Sequence, residues 1–326
     1  QPRESDLLLA THGRGIYVLD DLTPLRALTP EILASDAAVL PTRPIELALP
    51  SFEQRFDGDS EFIGRSLPDA VPIVYYQRKR LIVGTLRIQI YDSQGNLLNT
   101  IQGEPRLGVV RVDWAERLKP PKVPPAASLV EQPFAFFGPQ VEPGTYTVKL
   151  LRGKQTYTGK FELVPDARSQ ATRDDLAQQH KTVMQLYNML GQLTYVSDAT
   201  VDLRDQARQR SAQAKDRKLK AQLDSLATGL NDFHSTLVSV KEGGMITGEH
   251  KLRENIGELY GGVNGFEGKP SQSQIERTAV LQAQLDDATA KFQKFSDLTK
   301  VNGDLSKARL EALKPMSKDD WNKKQQ

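Results

Sequence analysis

Residues 11–15, Thr-His-Gly-Arg-Gly, have the composition of a phosphate-binding loop, because two glycines alternate with a histidine and an arginine. Such a loop needs glycine-spaced backbone amides that open a helix, usually with Lys-Ser/Thr after the last glycine. Here the next residues are Ile-Tyr-Val-Leu at 16–19, which is typical of a strand. The sequence therefore predicts a β-hairpin with arms at 7–10 and 16–19, whose glycines permit positive φ at the turn.

The four histidines do not form a metal-binding pattern. They are separated by long stretches of chain, and none lies at His-x-x-x-His spacing or beside a glutamate in a zinc-helix pattern. His180 and His234 fall on or next to apolar helical stripes, which favours a core position, and His250 is expected to be solvated near a helix start. There is no Gly-x-Ser-x-Gly nucleophile elbow. We predict no metal and no cofactor.

Paired acids are the other candidates for catalysis. Glycoside hydrolysis needs two carboxylates that face one another across a sugar, which adjacency in the sequence does not provide. Asp20 and Asp21 end the second strand of the predicted hairpin and are expected to orient a turn; a catalytic role is the alternative for them. The pairs at 174–175, 286–287 and 319–320 are expected at helix starts or on solvent-facing surfaces.

Aromatic residues of the β-rich part could bind carbohydrate, since sugar sites present exposed aromatic rings on a sheet face or loop. The alternative for most of them is packing in the core. The candidates are Tyr75, Tyr76, Trp114, Phe134, Phe136 and Phe137.

Composition excludes several classes of partner. The 326 residues include 43 basic and 41 acidic ones, a net charge of +2 that gives no long-range field favouring nucleic acid. The densest basic stretch, 204–220, is interleaved with aspartates, so we interpret it as a solvated helix face and loop, with binding of an anionic polymer or a lipid headgroup as the alternative. No apolar run is long enough to span a membrane. With no cysteine, the chain has neither disulfides nor thiolate chemistry.

Up to about residue 165 the chain is rich in proline, glycine and short β-branched or aromatic runs. The clearest hairpin pairs 145–150 with 156–164, and alternation at 86–91 and 109–114 indicates further strands. Strands at this spacing predict an immunoglobulin-like antiparallel β-sandwich over 23–165. The proline-rich segment 119–125 cannot join a central strand. We expect an extended surface loop, with a ligand for a proline-recognition domain as the alternative.

After Pro165 the apolar period becomes helical. Thr172 can cap a first helix whose first turn holds Asp174 and Asp175. A second helix carries apolar residues spaced 4-3-4-3-4-3 from Leu219 to Val240, a seam that must be buried against partner helices. A shorter helix is expected at 249–260, and a fourth beyond Pro270. These helices predict an antiparallel four-helix bundle over 166–313, followed by a flexible tail over 314–326.

The opening residues resemble a known family. Residues 6–25 are similar to the closing segment of large bacterial sortilin-like propeller proteins, which carry BNR-type repeats and are often labelled glycosyl hydrolases. The resemblance covers most of the chain, and the opening stretch is its most specific part. It continues through Phe-Ile-Gly at 62–64, Ile-Val-Tyr-Tyr at 73–76, Ile-Tyr-Asp-Ser-Gln-Gly at 90–95, Val-Asp-Trp at 112–114 and Pro-Gly-Thr-Tyr-Thr-Val at 143–148.

The resemblance implies a secreted or periplasmic protein with a β-propeller in its N-terminal part. Residues 1–22 would then be the last hairpin of that propeller, with the rest of it upstream. No catalytic residue is carried over, because any propeller active site would lie upstream and a label based on repeats does not establish chemistry. The expected turn at the propeller end comprises His12, Arg14, Asp20 and Asp21.

We therefore predict a non-catalytic C-terminal module that supports the propeller and docks a protein partner. The alternative is the accessory carbohydrate-binding part of a propeller-type glycoside hydrolase, in which Tyr75, Tyr76, Phe136 and Phe137 would contact the glycan. A third hypothesis is a partner peptide in a groove of the helical bundle.

Overall fold

The computed structural model describes residues 5–13, 15–47, 70–125, 137–240 and 249–324. The chain folds as two compact units, which we call the β unit and the helical unit. The β unit comprises Gln1–Lys119 and Gln140–Ala171, and the helical unit comprises Pro120–Pro139 and Thr172–Gln326. The chain thus enters the helical unit twice, whereas the sequence predicted one passage beginning at 166.

The described strands of the β unit form three sheets. The hairpin β1–β2 stands as a two-stranded sheet, a five-stranded sheet has the order β4-β10-β9-β6-β7, and a three-stranded sheet has the order β3-β5-β8. All strand pairs are antiparallel except β4 with β10, which is parallel. The elements are β1 Leu7–Ala10, β2 Ile16–Leu19, α1 Thr23–Arg26, α2 Pro30–Ala34, β3 Ala37–Val39, β4 Ile45–Glu46, β5 Val71–Gln77, β6 Leu86–Tyr91, β7 Leu97–Gln102, β8 Gly108–Trp114, β9 Gly144–Arg152 and β10 Gln155–Val164.

Period-two alternation explains how the two larger sheets share one core. In β6 the side chains of Leu86, Ile88 and Ile90 are buried, while Arg87 points to solvent. Trp114 of β8 packs against the rings of Tyr146 and Phe161, whose centroids lie 6.3 and 6.1 Å away. The predicted hairpin at 145–164 is present as β9–β10, joined by Gly153 at φ +59°.

The helical unit is built around one long helix, α3, whose N-cap is Thr172, as the sequence predicted. A capping box also forms, because the Thr172 hydroxyl accepts from the Asp175 amide at 3.2 Å and Asp175 Oδ2 accepts from the Thr172 amide at 3.1 Å. Asp216 caps the next helix by accepting from the amide of Leu219 at 2.7 Å. The elements are α3 Arg173–Gln213, α4 Arg217–Leu237, α5 Leu252–Asn264, α6 Gln272–Phe295, α7 Thr299–Lys307 and α8 Lys318–Lys324.

The predicted fold class is wrong. A curled five-stranded sheet with a parallel edge pair replaces the antiparallel immunoglobulin-like sandwich, and the helices do not form an antiparallel four-helix bundle. The helices differ too much in length for a bundle, because α3 has 41 residues and α5 only 13. In the second half of α3 the buried stripe uses small side chains such as Ala199 and Ala207, so its period is weak in the sequence.

Non-helical chain covers part of α3 where a bundle would place a helix. In the proline-rich segment Pro121 and Pro124 are buried, Val123 packs on the helical core, and the carbonyl of Lys122 accepts from the Thr194 hydroxyl at 2.8 Å. This differs from the predicted surface loop. Prolines suit such a segment because they need no partner for a backbone N–H.

The tail also differs from its prediction as a flexible segment over 314–326. Residues 318–324 form α8, and its Trp321 is buried. The indole Nε1 donates to Asp198 Oδ2 at 2.8 Å, and the ring lies edge-on to Tyr195. A single aromatic residue among lysines and aspartates thus attaches this segment to α3.

Candidate docking surface

The hairpin β1–β2 presents two apolar faces. In its antiparallel register Leu7 pairs with Leu19 and Leu9 with Tyr17, so these four side chains share one face. The opposite face holds Leu8, Ala10, Ile16 and Val18. From the sequence, Leu7, Leu9, Ile16 and Val18 were expected to cover apolar surface together, but the register places Leu7 and Leu9 on the face opposite to Ile16 and Val18.

Every residue of both hairpin strands is exposed. The exposed fraction of the large apolar side chains runs from 39% for Leu7 to 76% for Ile16. A soluble hairpin with one buried face shows polar side chains on the other, whereas this one shows none. Contiguous exposed apolar surface of this kind is typical of sites that contact another protein, a membrane or a ligand.

Hydrogen bonds between Thr11 and Gly15 close the turn of the hairpin, and the turn does not have the geometry of a phosphate-binding loop. The amide of Thr11 donates to the carbonyl of Gly15 at 2.9 Å, and the amide of Gly15 donates to Thr11 Oγ1 at 3.1 Å. His12 is exposed, and a strand rather than a helix follows the turn. Arg14 lies outside the described residues.

Two aspartates connect the base of the hairpin to the rest of the β unit. Asp21 adopts φ +51° and donates its amide to Asp6 Oδ1 at 2.9 Å. Its carboxylate accepts from the amides of Thr23 and Arg43, both at 3.0 Å. Asp21 therefore holds the chain at the base of the hairpin, and Asp20 beside it is partly buried. We call Asp6, Asp21 and Arg43 the hairpin clamp.

Sequence analysis missed two members of the hairpin clamp. Arg43 lies 22 residues from Asp21, and only the folded chain brings its backbone amide and its guanidinium to the two carboxylates. Asp6 was not recognisable as a functional residue either, because an acidic residue before an apolar strand is common. Extension of the hairpin register places Asp6 opposite Asp20, so the register alone does not predict its contact with the Asp21 amide.

The predicted carbohydrate-contacting aromatics do not form one exposed platform among the described residues. Tyr75 is fully buried, and its hydroxyl donates to the Glu104 carbonyl at 2.8 Å and accepts from the Glu104 amide at 2.7 Å. Tyr76 is partly buried, with its hydroxyl 3.3 Å from the Leu33 carbonyl. Phe137 belongs to the helical unit and is 62% exposed. Phe134 and Phe136 lie outside the described residues, and Trp114 is in the core.

A serine–histidine pair in the helical unit resembles part of a catalytic dyad. His234 Nε2 of α4 lies 3.1 Å from Ser197 Oγ of α3. Ser197 is 2% exposed, so a substrate carbonyl has no access to its hydroxyl. Burial, and secondarily the positive charge of Arg204, lower the pKa of His234. The pair therefore acts as a structural hydrogen bond, and burial favours the neutral form of its imidazole.

We expect acid to destabilise the helical unit through His234. Below pH about 6.5 the unfolded chain protonates this histidine while the folded chain resists protonation, so the free energy of unfolding falls as pH falls. In His234→Gln, which keeps a side-chain partner for Ser197, the loss of stability between pH 7.5 and 5 should be smaller. Urea titrations followed by circular dichroism at 222 nm measure both losses, and equal losses would contradict the expectation.

Metal clusters and membrane-spanning helices are absent from the described residues. Within them no group of three His, Asp or Glu side chains could hold a metal ion. No helix in the described part of the chain is both long enough and apolar enough to cross a membrane. In comparisons with known proteins, no family model and no curated protein matches the chain.

Proposed function

We propose that this chain is a non-catalytic module whose hairpin β1–β2 completes a β-sheet of an upstream domain in the same polypeptide. The single observation that carries the proposal is the exposure of apolar side chains on both faces of the hairpin. A two-stranded hairpin is marginal in water by itself. Burying both of its faces requires protein on both sides, and pairing its outer edges requires further strands.

A propeller blade meets these requirements. Each blade is a four-stranded sheet that packs against a neighbouring blade on each side, so its inner strands are apolar on both faces. The similarity of residues 6–25 to the closing segment of sortilin-like proteins supports a blade as the sheet in question. On this proposal the protein is secreted or periplasmic, as those proteins are. Docking of a further protein by the helical unit remains a prediction of the sequence.

The hairpin clamp supports the proposal on the side of this chain. Three backbone amides, those of Asp21, Thr23 and Arg43, are held by two carboxylates at the base of the hairpin. Hydrogen bonds to charged acceptors stabilise more than neutral ones do. The clamp thus fixes the direction in which the hairpin projects from the rest of the β unit. A hairpin that is shared with a second domain needs such a fixed direction.

Hydrogen exchange tests the proposal directly. In the chain of 326 residues the amides of 7–10 and 16–19 should exchange rapidly, because an isolated hairpin opens often. In the polypeptide extended upstream along its reading frame they should be protected at least about 100-fold, since burial of the sheet limits opening. Unchanged exchange in the extended polypeptide would overturn the proposal.

A substitution series separates hairpin contacts from general folding. Leu9→Asp with Val18→Asp, one change on each face, should abolish binding of the upstream domain supplied as a separate polypeptide. Leu33→Asp, at an exposed leucine on α2, is the matched control and should bind normally. Both variants should keep the thermal midpoint of the parent chain. Full binding by the hairpin variant would contradict the proposed contact.

A further inference from the structure

The loop between β5 and β6 carries the two most exposed large apolar side chains of the described residues. Ile82 is 89% exposed and Val83 is 84% exposed. They are adjacent in the chain, and Gly84 follows at φ +105°, which turns the chain back toward β6. We call Ile82 and Val83 the loop tip. Single exposed aliphatic residues are ordinary, but two adjacent ones at the end of a turn form a projecting apolar point.

Two contacts on the side of the core hold the loop tip in place. Leu81, the preceding residue, packs against the core of the β unit. The Arg152 guanidinium of β9 donates through Nη2 to the carbonyl of Lys79 at 3.4 Å. These two attachments fix the chain on the side of the tip that faces the core, so the exposed position of Ile82 and Val83 is set by structure.

Positive charge surrounds the loop tip. Residues 78–87 contain Arg78, Lys79, Arg80 and Arg87 and no acidic residue, although the whole chain has a net charge of only +2. Arg78 is paired with Asp36 at 2.6 Å. Within the described part of the chain, Lys79, Arg80 and Arg87 are exposed and lie within 4.0 Å of no carboxylate. Three uncompensated cations therefore flank two uncovered aliphatic side chains.

A cleft of about 490 Å³ opens beside the loop tip. Its walls include the apolar side chains of Leu81, Ile82, Leu86 and Pro105, together with Arg80 and Gln102. The apolar surface of the tip is thus continuous with an apolar recess that has a cation in its wall.

We propose that the loop tip and its cations bind the surface of a membrane that contains anionic lipids. Apolar side chains enter the boundary between headgroups and acyl chains, while neighbouring Lys and Arg side chains remain at the level of the phosphates. Basic residues beside a membrane are attracted by anionic headgroups in just such positions. Residues 79–87 therefore offer apolar side chains to the acyl-chain boundary and cations to the phosphates of the headgroups. This contact is peripheral and is independent of the hairpin.

Vesicle co-sedimentation of the 326-residue chain provides the test. Binding to phosphatidylcholine vesicles with 30% phosphatidylglycerol is expected, with little binding to phosphatidylcholine alone and a marked loss in 0.5 M NaCl. Ile82→Ser with Val83→Ser, and separately Lys79→Glu with Arg80→Glu, should each weaken binding at least about tenfold. Equal binding to neutral and anionic vesicles would overturn the proposal.

Matched controls locate the contact. Leu97→Ser changes an exposed leucine beside Tyr91, at the other end of β6, and Lys160→Glu changes an exposed lysine beside Thr147 at that same end. Both should bind anionic vesicles as the parent chain does. The hairpin variant Leu9→Asp with Val18→Asp should also bind normally. If it loses binding while the loop-tip variants keep it, the hairpin is the lipid contact and the proposal is wrong.

A labelled variant measures insertion itself. Because the chain has no cysteine, Val83→Cys provides a unique thiol for an environment-sensitive dye. Its emission should shift to the blue and rise severalfold on anionic vesicles, while the same dye on Leu97→Cys should not change.

Sedimentation velocity without lipid tests whether the loop tip instead contacts a second copy of the chain. A dimer that dissociates in Ile82→Ser with Val83→Ser would assign the tip to a second copy of the chain and overturn the proposal.

Discussion

Replacing Arg253 with alanine should lower the free energy of unfolding of the helical unit by about 3–5 kcal/mol. Arg253 is fully buried at the start of α5 and donates through Nε to the carbonyl of Pro124 at 2.7 Å. Through Nη1 it also donates to Glu254 Oε1 at 3.0 Å, and Glu254 is 3% exposed. Alanine leaves a buried carboxylate without its cation and the Pro124 carbonyl without this donor. Urea unfolding followed by circular dichroism at 222 nm measures the loss.

Two further variants distinguish this buried pair from a general effect of removing an arginine. Arg277→Ala removes a guanidinium that reaches Asn255 at an exposed position, and it should change stability by less than about 0.5 kcal/mol. Arg253→Met with Glu254→Gln removes both charges together and should recover part of the stability that Arg253→Ala loses. A loss below about 1 kcal/mol for Arg253→Ala would show that the pair does not hold the proline-rich segment on the helices.

The same pair shows why local periodicity misled the prediction of the helical part. Leucine spacing identified the buried face of α4 from Leu219 to Leu237, because a helix repeats its environment every three or four residues. What covers that face and its neighbours is decided by long-range contacts such as that between Arg253 and Pro124. No local pattern reveals that residues 120–139 belong with the helices, so the bundle was inferred from helices alone.

The candidate docking surface, like the helical part, could be predicted only in its local secondary structure. Two continuous apolar runs on either side of the two glycines were enough to place both hairpin strands, and the strand-like run after the glycines excluded a phosphate loop. The exposure of both faces was not predictable, since an apolar run looks the same whether its cover lies in the chain or in another domain. For Tyr75 it was burial that the sequence did not predict. Its aromatic ring suggested a sugar contact, but its position in β5 buries it.

Gly159 gives the largest expected effect in the β unit, and its importance is also invisible in the sequence. It lies in the middle of β10, opposite Val148 of β9, where a glycine weakens a strand and normally marks a close approach. A Cβ atom added there would lie 2.5 Å from Val39 Cγ1 and 2.7 Å from Val39 Cβ. Gly159→Ala should therefore destabilise the β unit by about 1–3 kcal/mol, because β3 must move to admit the methyl group. The fluorescence of Trp114, in a Trp321→Phe background, reports this unit alone.

A double-mutant cycle assigns that loss to the contact with β3. In a Val39→Gly background the atoms that would clash are absent, so Gly159→Ala should cost at least about 1 kcal/mol less than in the parent chain. Gly13→Ala, where an added Cβ meets no atom within 4 Å, should cost less than about 0.5 kcal/mol. Equal costs in the two backgrounds would mean that β3 does not pack on Gly159. The absence of a side chain at 159 is then what lets β3, and the three-stranded sheet to which it belongs, lie against the five-stranded sheet.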